Sequence, residues 1–446
     1  MTEPERPASH DTALPRAADV VVIGGGIVGV TTAWFLARDG HSVVLLEKGR
    51  IAGEQSSRNW GWIRKQGRDA RELGLMIESA RLWEELAAET GEDIGFGRHS
   101  TTYLAQNEAE LADRSAWLDS VRDFQLDTKL LSPAETDALL GRDDRAFAGA
   151  LHTPSDMTAE PTLAVPAFAR AAARAGVTVV EGCAARGFDK AGGRLSGVVT
   201  ERGTIACSQA VIAGGAWSRT LLENMGVFIP QLAVRSQACR TTAAPEIHPG
   251  GLGATGASLR RRPDGGYTVG RTNASTFQII PAAFRHLFTF LPILTHRWGM
   301  TKVRLGTEFF GPLGHRAWDL DRESPMERVR VLDPAPDMAL LGDILATAKR
   351  LHPALKDVEI AGAWGGMIDV TPDEVPIIDE TPGTPGLWIA TGLSGHGFGI
   401  GPGVGRMATQ LMTGRTPLAD PAPFALARFK AFRSAAAKPA ATQAAA

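Results

Sequence analysis

The sequence predicts an α/β protein, α+β overall, in which an interrupted Rossmann-like domain is completed by a second domain with an antiparallel sheet. Three observations predict it. Residues 19 to 49 read as strand, glycine turn, helix and strand. An apolar strand, small-residue turn and helix return at 207 to 226. Between and beyond these blocks lie stretches of short strands, proline-rich loops and a few helices, which read as a second domain with its own sheet.

The first strand is the apolar run Val20 to Ile23, followed by Gly24, Gly26 and Gly29 in the order G-x-G-x-x-G at the mouth of a helix running to about Arg38. Gly24 permits the tight turn, Gly26 lets backbone approach a pyrophosphate, and Gly29 lets helix and strand pack closely. The unpaired N–H groups and the dipole of the helix N-terminus stabilise an anion there. Gly40 ends the helix, and the strand Ser42 to Leu46 delivers Glu47 eighteen residues past Gly29, where an acid can accept both ribose hydroxyls of an adenosine. NAD and FAD both satisfy this unit.

With 446 residues the chain has room for two cores, and its apolar content of 44% is that of a globular protein. A net charge of −2 without a basic run speaks against nucleic acid as a partner. Cys183, Cys207 and Cys239 lie far apart without C-x-x-C spacing, which argues against zinc or a disulfide framework and for a reducing, cytoplasmic location. No window is apolar enough to span a membrane. The nearest, Ala282 to Trp298, reads as a core-packing helix or, alternatively, as a surface that rests on a membrane or partner.

Residues 1 to 18 read as a disordered tail, and 19 to 95 as the first nucleotide-binding segment. After Glu47 the chain is too polar and glycine-rich for an ordinary helix, so it reads as a loop and then a short strand in which Trp60 and Trp62 share a face and Arg64 continues it, with Lys65 and Arg68 following. Arg71 to Glu89 has helical apolar spacing. Residues 96 to 154 begin the second domain with short strands and polar-faced helices at Glu108 to Asp123 and Pro133 to Leu140. Residues 155 to 229 return to the first domain. Residues 230 to 360 carry strand signals, including KVRLGTEFF, and a helix near Met338 to Leu351. The third segment of the first domain, 361 to 430, holds a buried strand at Leu387 to Ala390 and a helix from Pro402 to Met412, before an alanine-rich tail, 431 to 446.

The ordered set of the N-terminal fingerprint, SSRNWG, VVEG…GVVT…VIAGGAWS, TPDEVPIID and GLSGHGFG resembles the D-amino-acid oxidase superfamily of flavoproteins. The resemblance implies FAD across the interrupted domain and a substrate-domain sheet covering the flavin ring. It implies that Gly24, Gly26, Ile27 and Gly29 hold the pyrophosphate and that Glu47 and Lys48 serve the adenosine ribose. Ser56, Ser57, Asn59, Ala185, Gly214, Trp217, Gly366, Gly395, Gly397, Phe398 and Gly399 would touch or line the rest of the cofactor.

Where sarcosine oxidase has a flavin-linked cysteine this chain has Gly366, and no histidine lies in SSRNWG, so FAD is expected to be non-covalent. Where sarcosine oxidase has a lysine after GHGF there is Gly399, and the only tyrosines are Tyr103 and Tyr267. The implied reaction is oxidation of the C–N bond of an amino acid or secondary amine to an imine, the substrate being a D-amino acid, an N-alkyl amino acid, or a proline-like or opine-like compound. Arg64 is the first candidate for holding a carboxylate. Arg235, Arg271 and Arg304 come second, and His396 is a candidate catalytic contact. Trp364, Asp369 and Asp373 line or brace the ring, Asp373 being simplest as a turn former. A peripheral membrane contact or a quinone-like electron acceptor is considered as a larger partner, and the oligomeric state is left open. The alternatives are an FAD-binding subunit of a hetero-oligomeric opine or sarcosine oxidase, a flavin aromatic hydroxylase, and an NAD-dependent dehydrogenase.

Overall fold

The structure is a computed structural model and describes residues 13–272, 274–296, 301–314 and 317–429. A six-stranded sheet runs in the order Ile377–Glu380, Leu387–Thr391, Gln209–Ile212, Val20–Ile23, Val43–Leu46, Thr178–Val180. Its strands pair in parallel except Ile377–Glu380, an antiparallel edge. Both faces are covered, which is why the central strands are unbroken apolar runs. Val20, Val22, Val43 and Leu45 point into one core with Trp34, Trp83 and Phe168. Val21, Ile23, Val44 and Leu46 point into another, closed by Trp217, Leu221 and the small sheet built from Ala185–Ala191, Arg194–Thr200 and Gly203–Ala206.

A ten-stranded sheet forms the second layer. It is mixed rather than antiparallel: Gly251–Ala254 runs parallel to Thr101–Ala105, and Ser275–Gln278 to Thr301–Arg304. The first pair joins separate excursions of the chain and the second is linked through the helices Pro281–Arg285 and Leu287–His296, so no hairpin dictates the direction of either. Ile360–Val370 belongs here, pairing along Leu232–Thr241, and the chain re-enters the first sheet only at Ile377. Helix Met338–Leu351 packs on this sheet through Leu341, Ile344 and Leu345.

Several local expectations are corrected. Ala17 pairs with Ala206, so the described part of the N-terminal tail, from Ala13, lies along a strand; residues 1–12 and 430–446 lie outside the described residues. Gln55–Arg58 forms one helical turn inside the expected loop, and the strand after it shrinks to Trp62–Ile63. KVRLGTEFF is a strand only to Arg304; Thr307–Phe310 is a 3-10 turn. The single helix expected at Ala282 to Trp298 is broken into Pro281–Arg285 and Leu287–His296, with Trp298 outside the described residues.

The last helix starts at Gly397, not at Pro402. Proline lacks an N–H and ordinarily begins a helix, which motivated the later start. Here the neighbouring helix Ala70–Thr90 makes the extra turn possible. Trp83 Nε1 donates to the carbonyls of Phe398, at 3.2 Å, and Gly399, at 3.0 Å. Ser79 Oγ donates to Gly399 O at 2.7 Å and accepts from Gly403 N at 2.9 Å. The backbone groups that Pro402 leaves unpaired are thus satisfied from outside.

Candidate active site

Chain order reverses between Val20–Ile23 and Gln209–Ile212, and ligands of such sheets bind outside the carboxyl ends of the strands at that point. A cleft of about 1080 Å³, part of it open to solvent, lies there. Gly24 has φ +114°, and a Cβ on it would lie 2.4 Å from Ala213 O, so only glycine fits where the two loops touch. A Cβ on Gly29 would lie 1.9 Å from Gly24 O. Ser56 Oγ accepts the N–H of Ile27 at 2.9 Å, fastening the one-turn helix to the mouth of Ile27–Arg38.

Of the residues proposed for the cofactor, Gly24, Gly26, Ile27, Glu47, Lys48, Ser56, Ala185, Gly214 and Trp217 line this cleft. Glu47 accepts from Gly25 N–H and Gly49 N–H, each at 2.7 Å. Burial pushes its carboxyl up to about 6, against the pull of Lys48 and those two N–H groups. Lys48 does not project freely into the cleft: its ammonium is 2.7 Å from Glu54 Oε1 and 2.7 Å from Arg330 O, and it stands 4.6 Å from the centre of the Trp217 ring. The same Glu54 oxygen accepts from Trp217 Nε1 at 3.1 Å and from Leu332 N–H at 3.1 Å.

Gly29, Ser57, Asn59, Gly366 and the Gly395–Gly399 loop do not line the cleft. Ser57 Oγ donates to Glu54 O, and Asn59 ties Gln55 O, Ser56 O and Gly61 N–H together, so both brace the turn. Gly395 has φ +87°, Gly397 begins the last helix, and Phe398 packs against Trp83 with ring centres 4.8 Å apart. The space a Cβ would take on Gly366 is filled by Gln55, whose Oε1 would be 1.8 Å away. That oxygen is buried without a hydrogen-bond partner among the described residues. Just behind, Asp369 accepts from Gly392 N–H at 2.7 Å, Leu393 N–H at 3.2 Å and Gln231 Nε2 at 3.0 Å, fixing the strand end that faces the cleft.

Arg64 donates to Gln66 O and stands 5.5 Å from the Tyr103 ring centre and 5.9 Å from that of Trp62. Arg235 lies directly opposite Met367, which lines the cleft, and opposed residues share a sheet face. Its Nε is buried and unpaired among the described residues. Arg271 is half-buried, and Arg304 is exposed on the edge strand. Trp364 Nε1 donates to Arg58 O at 2.7 Å. Asp373 sits in a turn, as expected, accepting from Val375 N–H at 3.4 Å, and also pairs with Arg71 at 3.1 Å and Arg428 at 3.0 Å, tying a helix to the C-terminal segment.

His396 Nε2 lies 3.0 Å from Glu72 Oε2, and the other Glu72 oxygen lies 3.9 Å from Arg68. Burial pushes Glu72 up, but the charge and hydrogen bond of His396, together with Arg68, outweigh it and hold the carboxyl below its ordinary value. Burial lowers Arg68 to about 9. The sequence reading passed over Glu54, Gln55 and Glu72. Only Glu72 left a trace, its four-residue spacing from Arg68 at the start of a helix.

The family model described as FAD dependent oxidoreductase matches residues 19–411. The chain is 26% identical to a sarcosine oxidase subunit beta of Arthrobacter sp, over 93% of this chain and 92% of that one. It is also 26% identical to glycine oxidase of Pseudomonas putida, over 91% and 97%. The structure of L-amino acid deaminase from Proteus myxofaciens in complex with anthranilate superposes with a TM-score of 0.88 at 32% identity, covering 94% of each chain. L-proline dehydrogenase from P. horikoshii superposes with a TM-score of 0.76 at 26% identity, covering 94% of this chain and 99% of that one. The cleft suits that cofactor: a cradle that side chains would fill at Gly24 and Gly29, an acid ending the second strand, and an orphaned amide oxygen at Gln55.

Proposed function

The chain belongs to the D-amino-acid oxidase family of FAD-dependent oxidoreductases that act on amino acids and amines, and from that premise we propose that it oxidises an α-amino acid at the C–N bond to the imine, which water hydrolyses. FAD held along the cleft supplies a hydride acceptor. Gly24, Gly26 and the start of Ile27–Arg38 would hold its pyrophosphate, Glu47 would accept from its adenosine ribose, and Gln55 Oε1 would offer the flavin an acceptor. The last helix begins four residues after Leu393, which lines the cleft, and its positive end would favour an anionic group bound there.

One observation carries the carboxylate requirement. Arg235 Nε is a buried donor that finds no acceptor among the described residues, opposite cleft-lining Met367, and a substrate carboxylate would supply that acceptor. The likeness to the Proteus L-amino acid deaminases favours the L series. The test is anaerobic bleaching of the flavin by L- and D-amino acids, N-methyl amino acids, prolines, opines and the matching amines without a carboxylate. L-α-amino acids should bleach it and the amines should not; bleaching by amines alone would refute the proposal.

A second reading, a subunit that turns over only in a complex, rests on the near full-length match to a sarcosine oxidase subunit. Bleaching of the isolated chain by any of these compounds removes it.

A further inference from the structure

Of the eleven large hydrophobic side chains exposed among the described residues, seven lie between residues 281 and 310. The most prominent are Phe310 at 89%, Phe288 at 82% and Leu305 at 72%. Helix Pro281–Arg285 and the turn Thr307–Phe310 share an apolar surface, because Phe284 meets Phe309 with ring centres 6.5 Å apart and Phe309 meets Phe310 at 5.1 Å. Leu287–His296 turns Phe290 inward to Phe277 and Ile280 while Phe288 and Leu291 face out, so this helix is apolar on two sides. A helix apolar on two sides is covered on both in its working state.

The charge around it selects the cover. Among the described residues of 281 to 316 the exposed charges are Arg285, Lys302 and Arg304 against Glu308, and Arg285 is paired with Glu223 at 2.9 Å, which leaves two cations against one carboxylate on a chain of net charge −2. Lys302 and Arg304 are exposed on the edge strand beside Val303 and Leu305. A two-fold contact with a second copy would set these cations against each other. An acidic surface with an apolar interior suits both features.

We propose that the face formed by Phe284, Phe288, Leu291, Leu305 and Phe310 docks on an anionic phospholipid bilayer. The rings and Leu side chains enter the boundary between headgroups and acyl chains while Lys302 and Arg304 meet lipid phosphates. No helix among the described residues is long and apolar enough to cross a membrane, so the attachment is peripheral.

Full-length protein should sediment with vesicles of phosphatidylcholine containing a quarter phosphatidylglycerol, and about tenfold less with phosphatidylcholine alone or with the Lys302→Glu/Arg304→Glu variant. Phe288→Ser/Phe310→Ser should lose binding to both while keeping its flavin absorbance and urea midpoint. Absence of sedimentation would overturn the proposal, as would equal binding to neutral vesicles. So would a concentration-dependent dimer that the Phe288→Ser/Phe310→Ser variant dissociates, which would assign the face to a second copy.

Discussion

Glu47 sits where two backbone N–H groups already hold its carboxylate, and ribose hydroxyls would join them. Glu47→Ala should weaken FAD binding by about 1.5 to 3 kcal/mol, the worth of hydrogen bonds to a charged acceptor, in a fluorescence titration of flavin-free protein. Ribose donors favour the ionised acid, so affinity should climb as pH rises through about 6 and level above it, and Glu47→Gln should flatten the profile. Folding responds in the opposite sense: a carboxyl raised from 4.5 to about 6 contributes stability that is full below 4.5 and lost as pH rises through about 6. Arg235→Ala should retain FAD yet raise half-saturation for a carboxylate substrate roughly tenfold, with poor rescue by Lys, which cannot make a two-pronged bond. If it does not, the anchor lies elsewhere and Arg64→Ala is the next variant to measure. Because Gly366 has no side chain and Gln55 fills that space, acid should release the flavin intact into the supernatant; flavin retained on the precipitate would contradict this.

The last helix shows how elements depend on one another. Trp83→Phe removes the donor shared by two carbonyls next to Pro402, costing about 1 to 3 kcal/mol in urea unfolding, with FAD affinity falling as the helix start loosens. An unchanged midpoint and affinity would show that the carbonyls find other donors. This helix also marks where reading the chain reached its limit. The strand and helix ends of 20 to 46 were legible because local chemistry sets them: a glycine turn, an apolar run, an acid at its end. The start at Gly397 was not, since Ser79 and Trp83, more than three hundred residues earlier, supply the bonds that permit it. The same holds for Gln55 and Glu72, polar residues whose partners, Gly366 and His396, come from distant chain. The broken helix at 281–296 read as a single core element because its inward and outward faces are both apolar.

At the scale of the whole molecule, charge placement bears on how electrons leave. Lys48 is the one lysine among the described residues lining the cleft, and it is held by Glu54 and backbone carbonyls. Lys65, beside Arg64, donates to Ser155. An ammonium near the ring would stabilise charge growing on oxygen, and neither is placed to do so. Reduced protein mixed with air-saturated buffer in a stopped-flow instrument should therefore reoxidise more slowly than it turns over with a quinone acceptor. Reoxidation at the turnover rate would mark it as an oxidase.

The weave of the six-stranded sheet also matters during synthesis. Strand Gln209–Ile212 has Val20–Ile23 on one side and Leu387–Thr391 on the other, so one of its edges stays bare until about 175 further residues have left the ribosome. An apolar strand with an unpaired edge is a template for joining other chains. A nascent chain stalled after residue 212 should aggregate unless a chaperone shields that edge, and the part of the cleft lined by Met367, Asp369, Thr391 and Leu393 is added only after that stage.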